Sequence, residues 1–203
     1  MILIKNSIIL ILNHFIQKGK IMPNNIAVVY KSKYGATRTY AKWIADKLHA
    51  DIFEADNISF QSLNNYQVII FAGSLYASKL TVYKSFKRLY KKLIKNKKIY
   101  CVIVGIGNPE HKELYEYAIN KNFKSKEKEN ITFYFLRGAI DFTKLKIHHA
   151  LMMLMNRKIL ATKNIQTEDD KIFLANYGKK LDYLSKNSIN DIVSDIKNYL
   201  KEL

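Results

Sequence analysis

Cysteine is almost absent from this sequence. The single residue, Cys101, excludes an internal disulfide and an all-cysteine metal site. It lies in the apolar run 99–104, where a free thiol reads as a small buried hydrophobe. Proline and glycine are also scarce, with 2 and 7 among 203 residues, so regular elements with short connections are expected. Acidic residues number 17 against 34 basic ones, leaving a net charge of +17. Coding bias toward Ile, Asn and Lys would account for part of this. From Asn57 to Pro109 there is no Asp or Glu, yet Lys79, Lys84, Lys87, Arg88, Lys91, Lys92, Lys95, Lys97 and Lys98 fall there. That distribution predicts a one-sided basic face able to attract acidic small molecules, an anionic membrane or nucleic acid. No apolar run is long enough to span a bilayer, which needs about 20 residues. The run from Ser7 to Leu12 ends at Asn13 and His14 without a clear cleavage site. Residues 1–22 therefore read either as an extension upstream of a true start at Met22 or as a weak anchor, and residues 23–203 as one domain.

What is present is a regular alternation. Ile26–Tyr30, Asp51–Ala55, Val68–Ala72, Ile99–Val104 and Ile131–Leu136 are short runs suited to strands, most of them apolar throughout, as in strands buried on both faces. Between the first two, Tyr40, Ala41, Ile44, Ala45 and Leu48 share one helical face. Leu80, Tyr83, Phe86, Leu89, Tyr90 and Leu93 form a second such stripe. Asn108-Pro109-Glu110 has the chemistry of a helix start: a capping side chain, a first-turn proline and an acid at the positive end of the dipole. The stretch from Lys121 to Asn130 reads as a charged, solvated excursion. Ser188 and Asp191 read as a capping box before a last helix with Ile189, Ile192, Val193, Ile196, Tyr199 and Leu200 on its apolar face. Five strands separated by helices imply an α/β, three-layer, doubly wound parallel sheet. Ligands of such sheets bind beyond the carboxyl ends of the strands, which directs attention to loops 31–38, 73–79, 105–108 and 137–143.

The first of these loops reads Lys31-Ser32-Lys33-Tyr34-Gly35-Ala36-Thr37-Arg38-Thr39. Hydroxyls at Ser32, Thr37 and Thr39 and the amides of a helix N-terminus suit a phosphate without a metal. One glycine, rather than the three of a dinucleotide fingerprint or the Gly-Lys-Ser/Thr of a triphosphate loop, favours a single phosphate. An ordinary capped helix start uses the same residue types.

Ser32-x-Tyr34-Gly35-x-Thr37 after a buried strand resembles the phosphate motif of flavodoxins, in which Tyr34 is usually Thr. The longer run from Tyr34 to Ile44 is similar to flavodoxin-domain proteins related to the bacterial menaquinone-dependent protoporphyrinogen oxidase. So are Gly73-Ser74-Leu75-Tyr76, and Leu136 to Phe142 followed by Leu151-Met152-Met153. The resemblance implies a five-stranded sheet in the order 2-1-3-4-5 and FMN as cofactor. Ser32, Lys33, Tyr34, Gly35, Ala36 and Thr37 would hold the phosphate. Gly73, Ser74, Leu75, Tyr76 and Ala77, with Gly105, Ile106, Gly107 and Asn108, would flank the flavin ring. Tyr76 is a candidate to stack on the ring, or a partly buried loop tyrosine. Arg137 would reach the flavin or an acidic substrate, or lie at the surface of a strand end. Tyr34 in place of Thr removes one hydroxyl from the phosphate.

The favoured function is a flavin oxidoreductase that dehydrogenates an acidic small molecule, with protoporphyrinogen the substrate the resemblance implies, and passes electrons to a quinone. An electron-transfer flavodoxin and a basic binding module are the alternatives. Nucleic acid is not expected, because no strand face interleaves aromatic and basic residues. Cationic surroundings would stabilise negative charge on the reduced cofactor and raise its potential. The segment from Leu145 to Met155 is apolar, methionine-rich and flanked by Lys144, Lys146, Arg157 and Lys158. It is expected either to lie on an anionic membrane or to pack on the core. A cytoplasmic protein is expected, peripheral at the inner face of the cell membrane on the first of these readings. His148 and His149 are adjacent, point apart on a helix and are not read as a metal pair. No acid–base or nucleophile constellation stands out.

Overall fold

A computed structural model of the chain describes residues 25–76 and 78–202. The readings of residues 1–22 and of Ala77 lie outside the described residues. Strands β1 (Ile26–Lys31), β2 (Asp51–Glu54), β3 (Val68–Tyr76), β5 (Lys98–Gly105) and β6 (Ile131–Arg137) form a parallel sheet in the order β2-β1-β3-β5-β6. A two-residue strand, β4 (Lys79–Leu80), pairs back on the end of β3. Counted without β4, this is the expected order 2-1-3-4-5.

The apolar runs split by the two-residue period of a strand. Val28, Ile70, Tyr100 and Val102 face α1 (Ala36–Leu48) and the last helix, α8 (Asn190–Lys201). Ala27, Val29, Ile69, Phe71, Ile99 and Cys101 face the other layer. That layer holds α2 (Phe60–Leu63), α3 (Tyr83–Leu93) and α4 (Lys112–Asn122). Burial on both faces explains why these strands carry no polar alternation. It also pushes the Cys101 thiol well above its ordinary range, so the residue is an inert core hydrophobe. On α3 the apolar stripe points inward, while Lys84, Lys87, Arg88, Lys91 and Lys92 are exposed.

Five local expectations are corrected. Residues 73–76 continue β3 instead of forming a loop, because Ser74 N–H donates to Thr81 Oγ1 at 2.9 Å and Thr81 N–H to the Ser74 carbonyl at 3.0 Å. Leu80 consequently belongs to β4 and not to the α3 stripe. Asn108 does not start a helix: its side chain accepts from Glu110 N–H within a turn, and α4 begins at Lys112. The stretch 121–130 is not wholly solvated. Phe123 is buried, and the Glu127 side chain, also buried, accepts from Lys124 N–H in the short helix α5 (Ser125–Lys128). Ser188 does not cap α8. Its Oγ donates to the Ser185 carbonyl at 2.7 Å, and residues 187–189 form a short 3-10 turn first.

Between β6 and α8 the chain makes an excursion absent from the minimal five-strand pattern. It comprises β7 (Ala139–Asp141), α6 (Ile147–Ala161), α7 (Glu168–Ala175) and β8 (Lys180–Asp182), with β7 and β8 paired antiparallel. A capping box fixes the start of α7: Asp170 N–H donates to Thr167 Oγ1 and Thr167 N–H to Asp170 Oδ2. Among the described residues no helix is long and apolar enough to cross a membrane.

Candidate functional site

The carboxyl ends of β1, β3, β5 and β6, together with the excursion, enclose a cleft of about 460 Å3. It opens beside the boundary between β1 and β3, where the chain reverses its direction of travel across the sheet.

Its floor begins with the β1–α1 turn. Gly35 has φ of 102°, a backbone angle that disfavours side-chain-bearing residues. Its N–H donates to Ser32 Oγ at 3.1 Å, which closes the turn. α1 then starts at Ala36 with no side-chain cap. The amides of a helix's first turn have no partner within the helix. Thr37 lies in this turn and lines the cleft. It is 1% exposed, and its Oγ1 has no hydrogen-bond partner among the described residues. A buried hydroxyl without a partner is costly, and a phosphate oxygen would satisfy it. The donor set therefore fits a phosphomonoester: one orphaned hydroxyl, uncapped amides and the positive end of α1.

Of the other residues expected from the sequence, Ser32, Lys33, Tyr34, Ala36, Ser74, Leu75, Tyr76, Gly105, Ile106 and Gly107 line the cleft. Gly73 does not: a Cβ there would meet Val82 Cγ1 at 2.8 Å, so it serves the close approach of the β4 hairpin. Asn108 lies just beyond the lining, with its N–H donated to Asp169 Oδ2 at 3.0 Å. The 105–107 loop is held by Tyr115 Oη donating to the Gly107 carbonyl at 2.6 Å and by Arg137 Nε donating to the Ile106 carbonyl at 3.0 Å. Burial pushes the Tyr115 hydroxyl up to about 12, which keeps it a donor at neutral pH. Arg137 is neither free nor at the surface. Its Nη2 pairs with Asp169 Oδ1 at 2.6 Å, and its guanidinium stacks 3.7 Å from the centre of the Tyr183 ring.

Tyr34 has taken a different task from the threonine it replaces. Its Oη lies 2.5 Å from His149 Nδ1 and accepts from Lys146 N–H at 3.2 Å, so it clasps the start of α6 to the β1–α1 turn. The His149 ring lies 4.2 Å from that of Tyr76. Lys33 Nζ sits 4.2 Å above the Tyr76 ring and 3.4 Å from His149 Nε2. Lys33 can only donate, which makes Nε2 the acceptor and leaves the proton on Nδ1, facing Tyr34. The contact of His149 with Lys33, Tyr34 and Tyr76 is the part of the site least visible in sequence. So is the roof above it, where Met152, Met153 and Leu160 of α6 and Phe173 of α7 line the cleft. For the roof, the sequence signal was the methionine-rich run itself.

His149 is held below the ordinary histidine range, first by burial, then by the charges of His148, Lys33 and Lys146. The neutral ring is thus the folded form, while the unfolded chain takes up a proton near pH 6.5. The clasp contributes its full stability above that pH and loses it as pH falls through the lower folded value. Amide exchange across 147–161 should therefore accelerate on going from pH 7.5 to 5.5, after correction for intrinsic rates. His149→Gln should flatten that dependence; an unchanged profile in the variant would remove His149 from the clasp.

A family model for the flavodoxin domain matches residues 27–167, from β1 through α6. An uncharacterized protein of Methanocaldococcus jannaschii is 28% identical over 144 residues, covering 70% of this chain and 88% of that protein. Among solved structures, rubredoxin oxygen:oxidoreductase of Desulfovibrio gigas superposes with a TM-score of 0.47 at 10% identity, over 87% of this chain. The superposition takes in only 37% of that oxidoreductase's length. The two-electron-reduced flavodoxin of Megasphaera elsdenii superposes with a TM-score of 0.40 at 20% identity, over 55% of this chain and 83% of its own. With its strand order and a flavodoxin-domain model matching most of its length, the chain belongs to the flavodoxin-domain family.

Proposed function

We propose that this protein is an FMN-binding oxidoreductase that dehydrogenates an apolar substrate bearing carboxylates, of the protoporphyrinogen kind, and hands the electrons to a quinone. FMN, when bound, supplies the electron and hydride chemistry. The protein supplies binding, orientation and exclusion of water. The β1–α1 turn would hold the phosphate, with Ser74–Tyr76 and Gly105–Gly107 beside the ring. The observation that carries the reading is the roof. An electron carrier works through an exposed cofactor edge, whereas here α6 and α7 cover the strand ends, with Met152, Met153, Leu160 and Phe173 over the cleft. Lys33 sits at the cleft's edge, exposed, with no carboxylate pair among the described residues, and can meet a substrate carboxylate. The inner cations Arg137 and Lys163 are already paired with Asp169 and Asp170.

The test begins with the visible spectrum of the purified protein after addition of FMN. Protoporphyrinogen oxidation is then followed by porphyrin fluorescence with and without menaquinone. Turnover that requires both cofactor and quinone is expected. A flavin-loaded protein that ignores protoporphyrinogen but exchanges electrons with a ferredoxin would instead be a carrier. The charge of Lys33 also sets a direction for the potential. Lys33→Gln should lower the midpoint potential of the bound flavin by on the order of tens of millivolts, less at high salt. A potential that rises or stays fixed would remove Lys33 from the neighbourhood of the ring.

A further inference from the structure

The helix that roofs the cleft is apolar on both of its faces. Inward, Met152, Met153 and Leu160 line the cleft. Outward, every fourth residue forms a ridge: Ile147 is 81% exposed, Leu151 58%, Met155 66% and Ile159 64%. A row of large apolar side chains held in water marks an interaction surface, since scattered exposure would need no explanation but a continuous ridge does. Ile165, just beyond the helix, is 82% exposed as well.

The charges around the ridge say what covers it. From Phe142 to Gln166 the sequence contains no Asp or Glu, while Lys144, Lys146, Arg157, Lys158 and Lys163 are present. Lys144 and Lys163 pair with Asp141 and Asp170. Lys146, Arg157 and Lys158 have no carboxylate pair among the described residues, and Arg157 instead lies 5.0 Å from the Tyr177 ring. Lys158 emerges in the midst of the ridge, where its stem can lie along apolar surface while its ammonium reaches outward. A second copy of this chain would bring the same unpaired cations face to face, in a protein of net charge +17, and repulsion opposes it. A surface with an apolar interior and anionic headgroups satisfies ridge and cations together.

We propose that the outward face of α6, from Ile147 to Ile159, docks on an anionic lipid bilayer. The ridge would sit at the headgroup boundary, with Lys146, Arg157 and Lys158 among the headgroups. This goes beyond the redox reading and needs no cofactor. It would also bring the roofed cleft to the lipid boundary, where an apolar substrate or acceptor can reach it without crossing water.

The test is co-sedimentation of the full-length protein with vesicles of phosphatidylcholine alone or mixed with phosphatidylglycerol, at 0.1 M salt, with no flavin added. Binding to the anionic vesicles is expected to exceed binding to the neutral ones by about tenfold or more, given three unpaired cations. The double substitution Met155→Ser with Ile159→Ser keeps every charge and every residue before α1. It should abolish most of that binding while leaving the melting temperature unchanged. Lys87→Gln with Lys91→Gln, on the separate basic face of α3, should leave binding within about twofold. The proposal is overturned if the wild-type protein ignores anionic vesicles. It is equally overturned if the Met155/Ile159 variant binds them undiminished, or if that variant instead dissolves a dimer. Failure of FMN binding would sink the redox reading and leave this outcome untouched.

Discussion

Thr37→Val is expected to weaken FMN binding by roughly ten- to a hundredfold without destabilising the ligand-free protein. A hydrogen bond to a charged group contributes about 1.5–3 kcal/mol, and each 1.4 kcal/mol is a factor of ten in affinity. In the absence of ligand, the Thr37 hydroxyl is buried without a partner among the described residues, so its removal takes away a desolvated polar group. Valine nearly preserves the volume, and the melting temperature of the ligand-free variant should hold or rise. Two controls sharpen the result. Thr37→Ser keeps the hydroxyl and should keep most of the affinity. Riboflavin lacks the phosphate, so its weaker binding should not distinguish wild type from variant. Fluorescence titration of both flavins reads the four constants. Equal losses for FMN and riboflavin would mean that Thr37 supports the ring or the fold and not a phosphate.

Phe86→Ala is expected to be the most damaging single change to stability. Phe86 is 1% exposed and touches four rings. Those of Tyr90 and Phe123 lie 4.9 and 5.2 Å away, and those of Phe71 and Tyr83 at 5.4 and 5.9 Å. It joins α3 to β3 and, through Phe123, to the turn after α4. Truncating a buried phenylalanine costs about 3–5 kcal/mol, because neighbours fixed by their own packing cannot fill the space. Against a typical total of about 5–15 kcal/mol, that is a large share. A denaturation midpoint lowered by less than about 1 kcal/mol equivalent would mean that this layer is not the cooperative core described here. The substitution lies in the layer away from the β1–α1 turn. Any protein that remains folded should therefore still bind FMN, which separates this prediction from the first.

The sheet was legible in the sequence because its signal is local and redundant. Strands buried on both faces must be apolar at every position, and Val68–Ala72 and Ile99–Val104 could be little else. The β1–α1 turn was legible as a candidate phosphate seat for a similar reason: it spans six consecutive residues, with Ser32 closing on the Gly35 amide and Gly35 turning through its own backbone. What misled was local chemistry overruled from a distance. Asn108-Pro109-Glu110 has the makings of a helix start, yet the Asn108 amide is engaged by Asp169, 61 residues further on. Ser188 has the chemistry of a cap, yet it turns to the Ser185 carbonyl and the Tyr40 hydroxyl. Arg137 was ambiguous until Asp169 and Tyr183 were seen to neutralise and stack it.

The layered parallel fold, the buried state of Cys101 and the place of the β1–α1 turn could all be read from the chain alone. Each of these follows from periodicity or from contacts within a few residues. Only the tertiary structure decided that Tyr34 would hold α6 through His149, that Met152, Met153 and Leu160 would face the cleft, and that Ile147, Leu151, Met155 and Ile159 would face outward. A helix with large apolar residues on two faces does not show in its sequence which of them turns inward. Its start is tied to the β1–α1 turn by a contact between Tyr34 and His149, 115 positions apart.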